Sequence, residues 1–251
     1  MTVQQTESPT IEPGRYPVRA GHRVVIDLSG VAGPTGELNP LVMEVIEEYA
    51  RKHGNKGYFW PNPHDFARDP ALKAHAKWHG NVETTSYLGK VLSEGDREGG
   101  KSYCCGFTFE AFLKAFERFC AARGREARLK GIDSCRQLDR KLRSAWFVMG
   151  SVPAAQRGAP RAIVDNGLGG WVPSIHQARP GDFAQIFKDD HRAAGHAVII
   201  TEVDGDDFTT FSAEGWATTA KRRGGGKGLS YVKRKASRIH TLEIARVVVP
   251  D

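Results

Sequence analysis

The chain has 251 residues, of which 40% are hydrophobic and 26% charged, values typical of one large globular domain or two small ones. No apolar run approaches the roughly 20 residues that a membrane-spanning helix needs, and four cysteines are too few for a disulfide framework. The formal net charge is +7, but Lys221–His240 alone carries eight Lys and Arg and no acidic residue, so the rest of the chain has a net charge of −1.

The first 20 residues are polar and interrupted by Pro and Gly, which predicts a flexible N-terminal arm. They contain no apolar segment of the kind that a Sec signal peptide needs. We therefore expect a cytoplasmic protein or one exported by a route other than Sec. Residues 21–251 are expected to form a single domain.

The N-terminal half predicts a short strand followed by helices. Arg23–Leu28 is apolar and β-branched, as in a strand. Asn39 and Pro40 open a helix with an apolar face, and Gly54 ends it. Ala71–Trp78 predicts a second helix, after which a polar, glycine-containing segment leads towards residue 100.

A cysteine pair stands at the start of the most apolar helix of the chain. Gly99–Phe107 reads GGKSYCCGF, and the helix continues from about Cys105 to Arg123 with phenylalanines at helical spacing. The N-terminus of a helix carries about half a positive charge. That charge favours a thiolate over a thiol, so Cys104 is a candidate nucleophile.

The region after this helix predicts less regular structure. A second helix is expected near Cys135–Met149, Pro153–Pro160 is expected to be a linker, and Asp165–Pro173 a loop rich in Gly and Trp. Cys120 lies on the apolar face of its helix and is expected to be a buried hydrophobic residue.

The C-terminal third predicts antiparallel strands. Phe183–Phe187 and His196–Val203 are strand-like, Asp204–Asp207 is a hairpin turn, and Phe208–Ser212 is the returning strand. Another strand is expected within Arg238–Val249. Because helices come first and strands last, the order predicts an α+β fold.

A cysteine nucleophile needs a base and a group that orients the base. His196 opens a strand directly after Gly195, where it can project from a rigid element. The hairpin returns the chain so that Ser212 and Glu214 lie near His196. Glu214 is favoured as the orienting group because its charge stabilises an imidazolium, and Ser212 is the alternative.

Three linked motifs resemble those of the NlpC/P60 and CHAP cysteine peptidases. Tyr103–Phe107 resembles their Asp-Cys-Ser-Gly-Phe nucleophile motif, with Tyr in place of Asp and Cys105 in place of Ser. Arg179–Phe183 resembles their Pro-Gly-Asp strand, and Gly195–Ile200 their Gly-His strand. The resemblance covers about residues 85–215, and residues 124–175 or so would be an insert.

The resemblance implies a papain-like fold, in which the nucleophile helix packs on an antiparallel sheet. It also implies cleavage of amide bonds, usually in peptidoglycan peptides, through a thioester. Cys104 would be the nucleophile and His196 the base, with the third residue near Ser212–Glu214. No metal or organic cofactor is implied. An inhibitor protein is a further candidate partner.

Other functions remain open at this stage. The same chemistry could act on an intracellular protein, an isopeptide or a lipid ester. The basic segment Lys221–Arg238, with three consecutive glycines, is expected to be a loop that contacts an anionic polymer, or to make the protein a nucleic-acid-binding module. His75 and His79 at helical spacing could form half of a metal site, and a zinc site from the four cysteines lacks the usual ligand spacing.

Overall fold

The computed structural model describes residues 36–54, 57, 79–96, 102–147, 153, 156–187, 195–215 and 228–249. The expected N-terminal arm, the strand at Arg23–Leu28 and the helix at Ala71–Trp78 lie outside these residues. The described part of the chain contains no helix that is both long and apolar enough to span a membrane.

The helices precede and interrupt the sheet in the order that the sequence suggests. They are α1 (Asn39–His53), α2 (Cys104–Ala121), α3 (Cys135–Leu138), a π-helical turn (Asp139–Arg143), α4 (Ser144–Trp146) and α5 (Ala159–Asp165). The predicted helices at Asn39 and at the cysteine pair are confirmed. The predicted helix near Cys135–Met149 is present as α3, the π-helical turn and α4. Helix α5 was not predicted, and it occupies the end of the expected linker.

An antiparallel sheet of six strands forms the second layer, with strand order β3-β8-β4-β5-β6-β7. A separate hairpin of two strands precedes α2. The strands are β1 (Thr85–Tyr87), β2 (Lys90–Ser93), β3 (Gly169–Trp171), β4 (Phe183–Phe187), β5 (Gly195–Asp204), β6 (Asp207–Glu214), β7 (Gly228–Lys235) and β8 (Thr241–Val247). The fold class is therefore α+β, as predicted.

Three segments contain strands that the sequence analysis does not predict. The polar segment before α2 contains the β1–β2 hairpin, which turns at Leu88 and Gly89, both with positive φ. The expected Gly/Trp loop contains β3, which pairs with β8. The expected basic loop contains β7. Residues 228–235 pair with β6 and form an edge strand of the sheet. The high charge of that segment concealed its strand alternation.

The core lies between α2 and one face of the sheet. Phe107 of α2 packs edge-on against Phe211 of β6, with ring centroids 5.5 Å apart. Phe112 packs against Trp146 and Phe183, and all three side chains are fully buried. The apolar stripe that identified α2 in the sequence is thus the surface that fixes this helix against β4 and β6. Burial of each such ring contributes about 2–3 kcal/mol.

The Pro-Gly-Asp motif has a structural task at the start of β4. The buried Asp182 carboxylate accepts hydrogen bonds from Asn39 Nδ2 at 2.8 Å and from Arg246 Nε at 2.9 Å and Nη2 at 2.8 Å. One side chain therefore joins the beginnings of α1 and β4 to β8.

A β-bulge at Thr201 sets the register of the β5–β6 hairpin. The tip pairs Asp204 with Asp207, whereas beyond the bulge Ile200 pairs with Thr210 and Ile199 with Phe211. The extra residue shifts the pairing by one position. Continuing this register towards the open end of the hairpin places Glu214 opposite His196.

Candidate active site

Cys104 is the first residue of α2, and the helix start is left open towards it. Tyr103 occupies the N-cap position without a side-chain cap. The first backbone hydrogen bond of the helix runs from the Phe107 amide to the Tyr103 carbonyl, so the amide of Cys104 has no acceptor within the helix. The side chain of Cys104 is therefore placed in the field of amide groups that have no acceptor within the helix.

Gly106 allows another segment to back this helix start. A Cβ atom on Gly106 would lie 2.3 Å from the carbonyl oxygen of His79 and 2.3 Å from the carbonyl carbon of Gly80. The amide of Tyr103 also donates to the Gly80 carbonyl at 3.2 Å. The glycine of the cysteine motif is thus required by the close approach of this backbone, independently of any catalytic role.

A buried carboxylate holds the same segment against α2. Glu110 accepts hydrogen bonds from the amides of Val82 at 2.7 Å and Glu83 at 2.9 Å, and from the Tyr49 hydroxyl at 2.8 Å. Burial raises the pKa of Glu110 to about 7, although these three hydrogen bonds act to lower it. Glu110 therefore ties α1, α2 and the segment before β1 together behind the cysteine.

The open end of the β5–β6 hairpin brings the proposed base and its orienting group together. His196 Nε2 and Glu214 Oε1 are 2.9 Å apart, and both side chains are largely buried. Ser212, the alternative orienting residue, donates instead to the carbonyl of Ala197 at 2.7 Å. The structure therefore places Glu214, and not Ser212, on the imidazole.

The thiol of Cys104 lies where β5 and β6 separate. Backbone pairing between these strands stops at Ile199 and Phe211. The carbonyl of Ala197 is taken by Ser212, and its amide hydrogen-bonds to the sulfur of Cys104. The same sulfur hydrogen-bonds to the side chain of His196. Because Nε2 is occupied by Glu214, Nδ1 is the nitrogen available to the sulfur.

The electrostatics of this cluster favour a thiolate–imidazolium pair. Hydrogen bonds from Cys105, His196 and the Ala197 amide lower the pKa of Cys104 well below its ordinary value, against the effect of burial. Burial lowers the pKa of His196, but hydrogen bonds to Cys104 and Glu214 outweigh it and raise this pKa to about 9. Between these two pKa values the sulfur is ionised and the imidazole is protonated.

Cys105 has the opposite character, which separates the two adjacent thiols. Burial and the neighbouring Cys104 sulfur raise the pKa of Cys105 well above its ordinary value. It is therefore a buried thiol that donates to Cys104. Cys120 is also buried. It lies about 24 Å along the axis of α2 from Cys104, at about 1.5 Å per residue, so the four cysteines cannot bind one zinc ion.

Sequence reasoning missed one residue of the cluster. Arg234 of β7 donates from Nη2 to Glu214 Oε1 at 2.6 Å and from Nε to Thr210 Oγ1 at 2.8 Å. Its position in a run of basic residues concealed it. In the structure, half-buried and exposed residues alternate along β7, with Arg234 on the half-buried side and Lys233 and Lys235 exposed.

Comparison with known proteins identifies no family for this chain. The chain matches no protein-family model, and it has no significant match among curated proteins or solved structures. Among the described residues, no group of three or more His, Cys, Asp or Glu side chains is arranged to hold a metal ion. Conclusions about function therefore depend on the Cys104 cluster itself.

Proposed function

We propose that the protein is a cysteine hydrolase that cleaves amide bonds, with Cys104 as nucleophile, His196 as acid and base, and Glu214 as the group that orients His196. One observation carries this proposal. The His196 imidazole bonds Glu214 through Nε2 at 2.9 Å and also hydrogen-bonds the sulfur of a cysteine at a helix start. A nucleophile, a base and an orienting carboxylate in this sequence of contacts form the general pattern of nucleophilic catalysis.

Each step assigns one task to one group. The Cys104 thiolate attacks the amide carbonyl, and the Cys104 amide stabilises the resulting oxyanion. The His196 imidazolium then gives its proton to the leaving amine, which leaves a thioester on Cys104. A water molecule, deprotonated by the now neutral imidazole, attacks the thioester and releases a carboxylic acid. The thiolate and the imidazolium are thereby restored.

The proposed substrate is the peptide part of peptidoglycan. A nucleophile helix packed on an antiparallel sheet, with histidine and carboxylate on adjacent strands, is consistent with the papain-like architecture of NlpC/P60 and CHAP peptidases. The three motifs that resemble those families occur at the helix start, at β4 and at β5. An intracellular protein, an isopeptide or a lipid ester is the alternative substrate, since the same thiolate can attack an amide or an ester carbonyl.

Digestion of peptidoglycan tests the reaction and the nucleophile together. Purified protein is incubated with peptidoglycan, and the released fragments are identified by mass spectrometry. We expect fragments with a new amine and a new carboxylate, and no release by Cys104→Ala. Cys135→Ala is the matched control, because Cys135 is a half-buried thiol outside the cluster. Equal release by Cys104→Ala and the parent would contradict the proposal.

A further inference from the structure

One oxygen of the Glu214 carboxylate forms hydrogen bonds to side chains of two neighbouring strands. Oε1 hydrogen-bonds to His196 Nε2 of β5 at 2.9 Å and accepts a hydrogen bond from Arg234 Nη2 of β7 at 2.6 Å. Only 17% of the Glu214 side chain and 20% of the Arg234 side chain are exposed. The ion pair therefore lies in a largely water-excluded position, where the attraction between its charges is screened less than in an exposed pair.

Arg234 is itself fixed before it meets the carboxylate. Its Nε donates to Thr210 Oγ1 at 2.8 Å, and Thr210 is fully buried. A guanidinium is planar, so a bond from Nε to Thr210 also fixes the direction in which Nη2 points. Glu214 is the last residue of β6, and its backbone pairs with Gly228 of β7 but no longer with β5. Its carboxylate is held by the side chains of His196 and Arg234.

We propose that Arg234 is a positioning residue that holds the Glu214 carboxylate against His196. This inference rests on the proposed function, which it extends by one residue. The charged groups that act on Glu214 are His196 from β5 and Arg234 from β7, with Cys104 of α2 on the other side of the imidazole. Without Arg234, the carboxylate would lose both its fixed direction and a cation that favours its ionised form.

Alkylation of Cys104 tests this role without any substrate. The rate of labelling by iodoacetamide, a neutral reagent, is measured from pH 4 to 9 with peptide mapping. In Arg234→Met we expect the acid limb of Cys104 labelling to move up by about one pH unit. The reason is that an opposite charge in contact lowers a carboxyl pKa by about 1–3 units, and a displaced imidazolium no longer stabilises the thiolate. Lys233→Met, which removes an exposed charge from the same strand, should superimpose on the parent.

Two further variants separate the possible failures. Arg234→Lys keeps the charge but lacks the planar fork, so its acid limb should stay in place while kcat falls several-fold at unchanged KM. Arg234→Lys is also the test variant if Arg234→Met does not fold. An unchanged kcat in Arg234→Lys would overturn the positioning role. If Arg234→Met superimposes on the parent while His196→Ala shifts the acid limb, Arg234 has no role but the proposed function stands. If His196→Ala also superimposes, the proposed thiolate–imidazolium pair is itself refuted.

Discussion

The ionisation of Cys104 is set by neighbours that hydrogen-bond to its sulfur. Its sulfur accepts from the Ala197 amide, which is free because the β5–β6 ladder stops before it, and from the side chains of His196 and Cys105. Cys104 is also largely buried, with 6% of the residue exposed. Low accessibility alone would favour the neutral thiol, so the donors around the sulfur decide its ionisation.

The first prediction concerns which thiol reacts. Iodoacetamide at pH 6 should label Cys104 faster than Cys105 or Cys120, because only the Cys104 pKa is lowered and the other two are raised. Mass spectrometry of tryptic peptides measures the rates. Cys105→Ser should retain much of the activity, since a hydroxyl can still donate to the sulfur. Faster labelling of Cys105 or Cys120 than of Cys104 would show that the nucleophile is wrongly assigned.

The second prediction concerns the charge on Glu214. The imidazolium of His196 must supply a proton to the leaving amine, and its pKa is raised to about 9, so kcat/KM should fall as the pH rises through about 9. Glu214→Gln keeps an acceptor for Nε2 but removes the negative charge that stabilises the imidazolium. Its alkaline limb should move to lower pH by about one unit or more. An alkaline limb that does not move in Glu214→Gln would mean that the carboxylate does not stabilise the imidazolium.

At the scale of elements, the site depends on how α2 is held at its start. The segment before β1 lies across Gly106, and Glu110 fixes it through two backbone amides. A second acid, Glu83, reinforces this contact by ion pairs to Lys114 of α2 at 2.6 Å and to Lys52 of α1 at 2.5 Å. The helix that carries the nucleophile is thus tied to two other parts of the chain within its first three turns.

The third prediction uses the pH dependence of Glu110. Its pKa is about 7 in the folded protein and 4.5 ordinarily, so its contribution to stability is present below pH 4.5 and is lost as the pH rises through 7. Between these values the parent should lose about 3 kcal/mol more of its free energy of unfolding than Glu110→Gln does. Urea unfolding at several pH values measures this difference. Parallel stability curves for the two proteins would contradict the prediction.

The sequence predicts well those elements whose apolar residues recur at regular helical or strand spacing. The aromatic stripe of α2 and the β5–β6 hairpin have strong local signals, so Cys104, His196 and Glu214 were found together. The strands β3 and β7 were missed because glycine in one and positive charge in the other obscure the alternation. Their pairing with β8 and β6 becomes evident only when the sheet is assembled.

The detailed geometry of the site follows from contacts that no local pattern encodes. Arg234 meets Glu214 across two strands, and the Ala197 amide is free only because β5 and β6 separate. The choice between Ser212 and Glu214 also needed coordinates, since both residues lie on the same face of β6. These are tertiary effects, and their residues have no distinctive spacing in the chain.

For the whole molecule, the basic segment has a defined relation to the cluster. Gly228 pairs with Glu214, so the chain enters β7 directly opposite the carboxylate. Residues 221–227, which immediately precede this point, carry half of the eight positive charges and lie outside the described residues. The segment remains our candidate for contact with an anionic polymer. Fields of exposed charges are screened over about 8 Å at physiological salt.

The fourth prediction tests this contact by salt dependence. The variant neutralises Lys221, Arg222, Arg223 and Lys227. It should lower kcat/KM strongly at low salt and little at high salt, with kcat nearly unchanged, because uniform binding acts on KM. A control neutralises four exposed charges beyond the far end of α2: Arg123, Arg125, Lys130 and Arg136. Identical salt curves for the variant, the control and the parent would show that the segment does not attract substrate.

The bulge at Thr201 decides which residue of β6 lies opposite His196. With the extra residue, His196 faces Glu214; in a hairpin with the same turn and no bulge, Gly215 would take that place and Glu214 would point to the face that packs on α2. Deletion of Thr201 alone removes the extra residue but keeps Ile200 opposite Thr210, so His196 should still face Glu214. Insertion of one residue between His196 and Ile199 should instead place His196 opposite Gly215 and away from the carboxylate. A related hydrolase whose strand has the same length but pairs without the bulge would carry its acid one residue later. An alignment without a gap here would then match the carboxylate to the wrong column.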